Sequence, residues 1–273
     1  MTHIPLPSKG RDGTESVANE ATASRHPRFP EVEDHFGEEV ARRYDDADSE
    51  MFRPDVIDAT VEFLASFCNG GRALEFGIGT GRIAIPLSRH GIQVTGIDLS
   101  PAMIAQLESK LDGGQIETLV GDFATTKTHR SFDLVYLVYN TIMNLTCQSQ
   151  QVECFRNAAS HLAPGGHFVV EVMVPALRQL PPGQTVHPFE VSDMYWGLDE
   201  YDTISQRLVS HHLQQTEDGC VRSSVPFRYV WPSELDLMAN LAGMSPVGRW
   251  ADWNRNPFTE NSTSHVSVWR RTS

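Results

Sequence analysis

The stretch Arg72-Ala-Leu-Glu-Phe-Gly-Ile-Gly-Thr-Gly81 decides the fold. Apolar residues run into three alternating glycines, and a helical pattern (Arg82-Ile-Ala-Ile-Pro-Leu-Ser88) follows at once. That order reads as a strand, a tight turn and a helix start. Gly77, Gly79 and Gly81 lack a Cβ, so the backbone can turn through unusual dihedrals and a ligand can approach it closely. Two further strands answer the first. Residues 92–97 lead into Asp98, an acid placed to accept from both hydroxyls of a ribose. Residues 116–120 lead into Gly121-Asp122-Phe123, where an acid can accept from an adenine amino group and an aromatic can cover its ring.

Outward from these motifs the same alternation continues. Residues 132–139 (Phe-Asp-Leu-Val-Tyr-Leu-Val-Tyr) read as a fully buried fourth strand. Residues 150–162 read as a helix, Ala163-Pro-Gly-Gly166 as a turn, and residues 167–174 as a fifth strand. Strands alternating with helices predict an α/β fold whose parallel sheet is covered on both faces. Upstream, residues 33–47 carry Phe36, Val40 and Tyr44 on one helical face. Residues 51–67 form a second helix with Val56, Ala59, Phe63 and Phe67 along one side. Residues 1–30 are rich in Ser, Thr, Pro, Gly and charge and read as a mobile arm, leaving 31–273 as the folded domain.

After the fifth strand the pattern changes. Residues 186–196, 202–214 and 220–231 are extended and partly alternating, the last following a Glu217-Asp-Gly219 turn. They predict an antiparallel meander inserted at about 183–231. A helix over 233–242 with Ser233 as N-cap and two strands at 244–250 and 264–270 close the chain.

The glycine loop with Glu75 before it, Asp98 and the Gly121-Asp122-Phe123 motif resemble class I S-adenosylmethionine (SAM) dependent methyltransferases over about residues 60–175. The resemblance implies a Rossmann-like, seven-stranded, mostly parallel sheet with its last strand antiparallel and the meander as an inserted β lid. It also implies roles. Glu75 is the motif acid near the cofactor's amino end, and Gly77, Gly79 and Gly81 lie against its methionine part. Asp98, with Leu99 beside it, takes the ribose, and Asp122 with Phe123 takes the adenine. Tyr44, on a helix that caps the pocket in related enzymes, and Tyr139 join the cofactor set. The inserted meander resembles that of small-molecule methyltransferases of antibiotic pathways. A dinucleotide-dependent oxidoreductase is the alternative, because Gly79, Gly81 and Ala84 also fit a loose G-x-G-x-x-A pattern. A SAM-binding protein with a non-catalytic role is the other.

The acceptor side is read from position. Tyr139, Asn140 and Asn144 follow the fourth strand at the carboxyl edge, where doubly wound folds bind ligands. Packing of Tyr139 and helix-capping by Asn140 remain open there. No Asn/Asp-Pro-Pro-Tyr signature of amino-group DNA methylation follows that strand. The meander contributes Tyr195, Trp196, Tyr229 and Trp231 as substrate contacts. His187, His211 or His212, with Tyr139, are the candidate proton acceptors for an N, O or C nucleophile. Of His211 and His212 one faces inward, since strand neighbours point to opposite sides.

Composition bounds the partners. A formal charge of −13 over 273 residues opposes phosphate backbones and anionic membranes. The expected acceptor is therefore a small molecule, neutral or cationic, with no nucleic acid and no membrane. Cys68, Cys147, Cys154 and Cys220 form no C-x-x-C pair, and no metal site is expected. No stretch approaches the roughly 20 apolar residues of a membrane span, so a cytoplasmic enzyme, as a homodimer if the meander pairs, is the expectation.

Overall fold

Strand–helix alternation produces the expected sheet. The computed structural model describes residues 36–46, 50–68, 71–111, 115–216 and 219–272. The expected arm, residues 33–35 and 47 of the first expected helix, and Glu217 and Asp218 lie outside them. In chain order the elements are α1 (Glu38–Arg43), α2 (Pro54–Ala65), β1 (Arg72–Phe76), α3 (Ala84–Arg89), β2 (Gln93–Asp98), α4 (Pro101–Ser109) and β3 (Glu117–Val120). Then come β4 (Phe132–Leu137), α5 (Gln148–His161), β5 (Leu162–Met173), β6 (Val186–Val191), β7 (Tyr195–Asp202), β8 (Arg207–Thr216) and β9 (Gly219–Arg228). α6 (Pro232–Leu241), β10 (Met244–Trp250) and β11 (Ser264–Arg271) complete the fold.

The main sheet has the order β10-β11-β5-β4-β1-β2-β3. β1 to β5 run parallel, and β11 is antiparallel to both β5 and β10. One apolar core lies on each face. α5 and α6 cover Leu74, Phe76, Val135, Leu137, Phe168 and Val170, and α2 to α4 cover Ala73, Leu134, Tyr136, Val169 and Val266. Full burial of each large apolar side chain contributes about 1.5–3 kcal/mol. Gly96 inside β2 has a packing reason, because a Cβ there would sit 2.1 Å from Ile78 Cδ1 of the glycine loop. Among the described residues no helix is long and apolar enough to cross a membrane.

The insertion is a separate sheet, β6-β7-β8-β9, fully antiparallel. It has four strands, not three. The segment expected as one run at 186–196 bends at Ser192, whose N–H donates to the Tyr195 carbonyl (2.8 Å), so Tyr195 and Trp196 open β7. The next expected run, from 202, begins instead at Arg207. Asp202 Oδ1 accepts from the Ile204 N–H (3.0 Å) and its Oδ2 from the Ser205 hydroxyl (2.5 Å), which makes a turn. The base of this sheet joins the main core through Tyr201, Leu208, Tyr229 and Val230.

Three boundaries differ from expectation for local reasons. Ser233 is not the N-cap of α6. Trp231 takes that place and Pro232 is the first helical residue, which suits a residue with no N–H to satisfy. Pro54 likewise starts α2 three residues after the expected start. The Ala163–Gly166 turn is absorbed into β5, where the pairing with β4 shifts register between Phe132 and Leu134 and Gly165 takes φ +81°.

Candidate active site

The carboxyl edge of β1, β2, β4 and β5 gathers the polar groups. At its centre Glu75 is 2% exposed and accepts a 2.9 Å hydrogen bond from the Tyr136 hydroxyl. Burial pushes its carboxyl up to about 8, against the pull of Tyr136 and Arg82. The loop that follows is left-handed at each glycine: φ is +71° at Gly77, +54° at Gly79 and +82° at Gly81. Asp98 braces it. One carboxylate oxygen accepts from the Gly79 N–H (2.7 Å) and the other from the Ser100 N–H (2.9 Å). Burial raises the Asp98 pKa, and the backbone N–H groups oppose the rise. Leu99 beside it is 70% exposed. Asp122 caps its own turn through the Ala124 N–H (2.8 Å). The Phe123 ring is turned into the core, stacked on Phe76 at 5.8 Å.

The segment before the sheet closes on this edge. Asp45 accepts from the Thr80 hydroxyl (2.6 Å) and pairs with Lys110, and the Ser100 hydroxyl donates to the Phe36 carbonyl (2.6 Å). Tyr44 follows α1 and packs edge-on to Phe52. Its hydroxyl is buried, which raises its pKa, within electrostatic reach of Arg82, Tyr139 and Asp98. Arg82 donates to the Met51 carbonyl (2.9 Å), and its guanidinium lies over the rings of Phe52 (6.0 Å) and Tyr139 (5.7 Å).

After β4 the chain makes a tight turn. Tyr139 and Asn140 both take left-handed φ, +52° and +63°. The Tyr139 N–H donates to Glu171 Oε2 (2.8 Å), and Asn140 Oδ1 accepts from the Met173 N–H (2.7 Å). Asn140 is therefore no side-chain helix cap. Asn144 ends the following short 3-10 turn (Thr141–Asn144), half-buried.

Strand register sorts the meander. Tyr195, Asp199, Tyr201, Ser210 and His212 share the inner face of the four-stranded sheet, with His187 opposite Asp199. The Tyr195 hydroxyl is hydrogen-bonded to His212 Nδ1, and Phe189 packs edge-on to the same imidazole. Burial lowers the His212 pKa, which favours the neutral ring beside the phenol. Asp199 is 7% exposed, its pKa raised by burial against hydrogen bonds from Ser210 and Tyr201. The Tyr195 hydroxyl is within electrostatic reach of Tyr139, Asp199 and Glu190, and its pKa is raised, chiefly by burial. Trp196 and His211 point the other way: Trp196 is 53% exposed, and His211 contacts Ser224 (2.8 Å) and Glu200 (3.3 Å). Tyr229 is 1% exposed between Tyr201 and Trp231, inside the packed base of the sheet. The structure thus links Tyr44 to Tyr139 and Tyr139 to Tyr195 by electrostatic reach and bonds Tyr195 to His212. It turns Trp196 and His211 to the opposite face of the sheet and buries Tyr229 in its base.

Sequence reading passed over Arg82, Glu171 and Asp199. Arg82 directly follows the glycine loop, and Glu171 is the one charge in Phe168-Val-Val-Glu-Val-Met173, so both carried a signal. Among the described residues no group of three His, Cys, Asp or Glu could hold a metal ion.

The edge fits SAM. A Cβ built on Gly79 meets nothing nearer than the Gly77 carbonyl at 4.0 Å, so the loop borders open space on its ligand side. Asp98 and Asp122 stand at adjacent strand ends, and the enclosed carboxyl of Glu75 lies beneath. Fold and site together define a Rossmann-like methyltransferase. Residues 73–166 match the family described as "Methyltransferase domain". The chain is 33% identical to the CcbJ methyltransferase of Streptomyces caelestis, covering 87% of this chain and 98% of that one with a TM-score of 0.78. It is 26% identical over 206 residues to the cypemycin N-terminal methyltransferase of a Streptomyces species, 74% of this chain and 84% of that protein. CalS10, an amino pentose methyltransferase from Micromonospora echinaspora, shares the fold at a TM-score of 0.61 and 20% identity, covering 85% of this chain and 95% of that one. This chain belongs to the SAM-dependent methyltransferases. Its reaction is methyl transfer, not hydride transfer.

Proposed function

We propose that the enzyme methylates an amine nitrogen of a small molecule held between the Tyr139–Asn144 turn and the inner face of the four-stranded sheet. One observation carries this reading: Asp199, Tyr195 and His212 share that face, with Tyr139 in reach of Tyr195. A carboxylate beside a neutral imidazole suits a substrate that arrives as a cation and must lose a proton. Two relatives point the same way by name, the cypemycin N-terminal methyltransferase and the amino pentose methyltransferase CalS10 of calicheamicin biosynthesis. The setting we infer is bacterial secondary metabolism.

When bound, SAM supplies a methyl group on a sulfonium. Gly77, Gly79 and Gly81 would hold its methionine part, Asp98 its ribose and Asp122 its adenine. The residues of the cleft do the rest. Asp199 attracts the ammonium. The ammonium proton passes to the hydrogen-bonded Tyr195–His212 pair, freeing the nitrogen lone pair. Tyr139 and Asn140 orient the acceptor, and alignment alone supplies several kcal/mol.

The test is label transfer from methyl-tritiated SAM to paired compounds, amino-sugars and N-terminal amines against their hydroxyl counterparts. Label on the amines is expected, and label on the hydroxyl compounds alone rejects the reading. On the best amine, His212→Ala should lower kcat by about 10²–10⁴, while His211→Ala should leave it near wild type.

A further inference from the structure

The turn at Tyr139 and Asn140 is an unusual piece of backbone. Two successive residues with side chains hold left-handed φ, a conformation that persists only where the surroundings impose it. The turn presses on the cofactor loop: a Cβ on Gly77 would fall 2.6 Å from Thr141 Cγ2. It also aims the Tyr139 ring beneath the Arg82 guanidinium. Whatever fixes this turn therefore shapes the wall between cofactor and acceptor.

Glu171 is where the constraints converge. Its Oε2 accepts from the Tyr139 N–H at 2.8 Å, and its Oε1 accepts from the Trp253 indole N–H at 2.9 Å. Its own backbone carbonyl accepts from the Asn140 N–H at 3.2 Å. β5 sits beside β4 with Leu137 opposite Val170, so Glu171 comes level with the end of β4. Trp253 belongs to the loop between β10 and β11 and is 7% exposed, packed edge-on against Phe63. The two donors approach opposite oxygens of one carboxylate, which leaves that group a single orientation. Resting on the reading of the site given above, we infer that Glu171 is a positioning residue: through its bond to the Tyr139 N–H it locks the Tyr139–Asn140 turn in the shape that receives the methionine end of SAM.

The inference makes a demand that generic packing does not. Glutamine has the same shape but one acceptor oxygen, so two N–H donors compete for it. Removing the second donor ends the competition. The test measures S-adenosylhomocysteine (SAH) affinity by calorimetry and thermal midpoint on the full chain. The forms compared are wild type, Glu171→Gln, Trp253→Phe, the double variant, and Asp98→Ala as control. Glu171→Gln should weaken SAH about tenfold, as the loss of a hydrogen bond to a charged group would. Trp253→Phe should bind within about threefold of wild type, and the double variant should recover to that range. A purely structural role gives the opposite order, with the double variant worse than either single one. Wild-type affinity in Glu171→Gln, or a double variant no tighter than Glu171→Gln, overturns the inference. Should Glu171→Gln not fold, Glu171→Asp keeps the charge and is too short to reach both donors. It should show the same loss of SAH affinity, and wild-type binding there counts against the inference equally. Normal SAH binding by Asp98→Ala would instead overturn the reading of the cofactor site. Weakened binding by Asp98→Ala beside normal binding by Glu171→Gln removes Glu171 alone.

Discussion

Replacing Arg228 by methionine should unfasten the four-stranded sheet from the rest of the enzyme. The Arg228 side chain is only 4% exposed. It ion-pairs with Glu234 of α6 at 2.7 Å, donates to Gln206 Oε1 at 2.9 Å and reaches Gln151 of α5. Gln151 in turn donates to the carbonyls of Ile142 (3.2 Å) and Arg228 (3.1 Å). One guanidinium thus ties β9 to both helices and to the turn after β4. Methionine fills similar volume but leaves Glu234, 14% exposed, without its countercharge. Removing one partner of a buried pair costs about 3–5 kcal/mol, and at about 2–4 °C per kcal/mol the midpoint should fall by roughly 6–20 °C. Scanning calorimetry at pH 7 measures this. Adding Glu234→Gln should recover at least about 1 kcal/mol, because the stranded charge is gone. The pH dependence has a definite sign. Burial works to raise the Glu234 pKa, but hydrogen bonds from Gln148, Gln206 and Arg228 outweigh it and hold the carboxyl below its ordinary value. A depressed acid contributes stability above its unfolded pKa and loses it as pH falls through the folded one. The gap between wild type and Arg228→Met should therefore narrow on acidification below the ordinary carboxylate range. A midpoint change under about 2 °C at pH 7, or a gap that does not change with pH, refutes the argument.

Three further outcomes follow from the cofactor edge. Asp98→Ala removes the acceptor of the Gly79 and Ser100 N–H groups, and should weaken SAH by about 1.5–3 kcal/mol, or roughly ten- to hundredfold, by calorimetry. Gly79→Val puts a branched side chain into open space at φ +54°. It should abolish SAH binding while circular dichroism shows a folded chain, with about 1–3 kcal/mol of backbone strain. Glu75→Gln should raise the thermal midpoint more at pH 8 than at pH 5. With a folded pKa of about 8 against an ordinary 4.5, wild type loses stability as pH rises between the two values. A midpoint difference that is flat with pH counts against a neutral Glu75.

What could be read in advance was local. The glycine loop, Asp98 and Asp122 are each signalled within a few residues, because a strand end, a turn and a helix start are short-range events. The four-stranded sheet was legible as extended chain but not as four strands. The turn at Thr203–Gln206 has neither Gly nor Pro, and Gln206 itself takes φ +57° there. The facing of Trp196 and His211 was not legible either, since it depends on a register fixed by distant packing of Tyr201 and Leu208. Glu171 stood out as a charge in an apolar run, yet its meaning lies in the neighbouring strand and a loop 82 residues away.

The polar sheet β6–β9 leaves the fold after β5 and rejoins it just before α6. Every strand end that carries a cofactor motif precedes that departure. On the proposed reading, the cofactor motifs and the inner-face wall of the acceptor site lie in separable tracts of the sequence. Under that reading, drift along the inner face of the insertion would change which nucleophile fits while Asp98 and the glycines stay untouched. Recombination at its two junctions would exchange one substrate preference for another in a single event. For such an exchange to succeed, the incoming tract must bring its own counterpart of Arg228, or α5 and α6 will not recognise it.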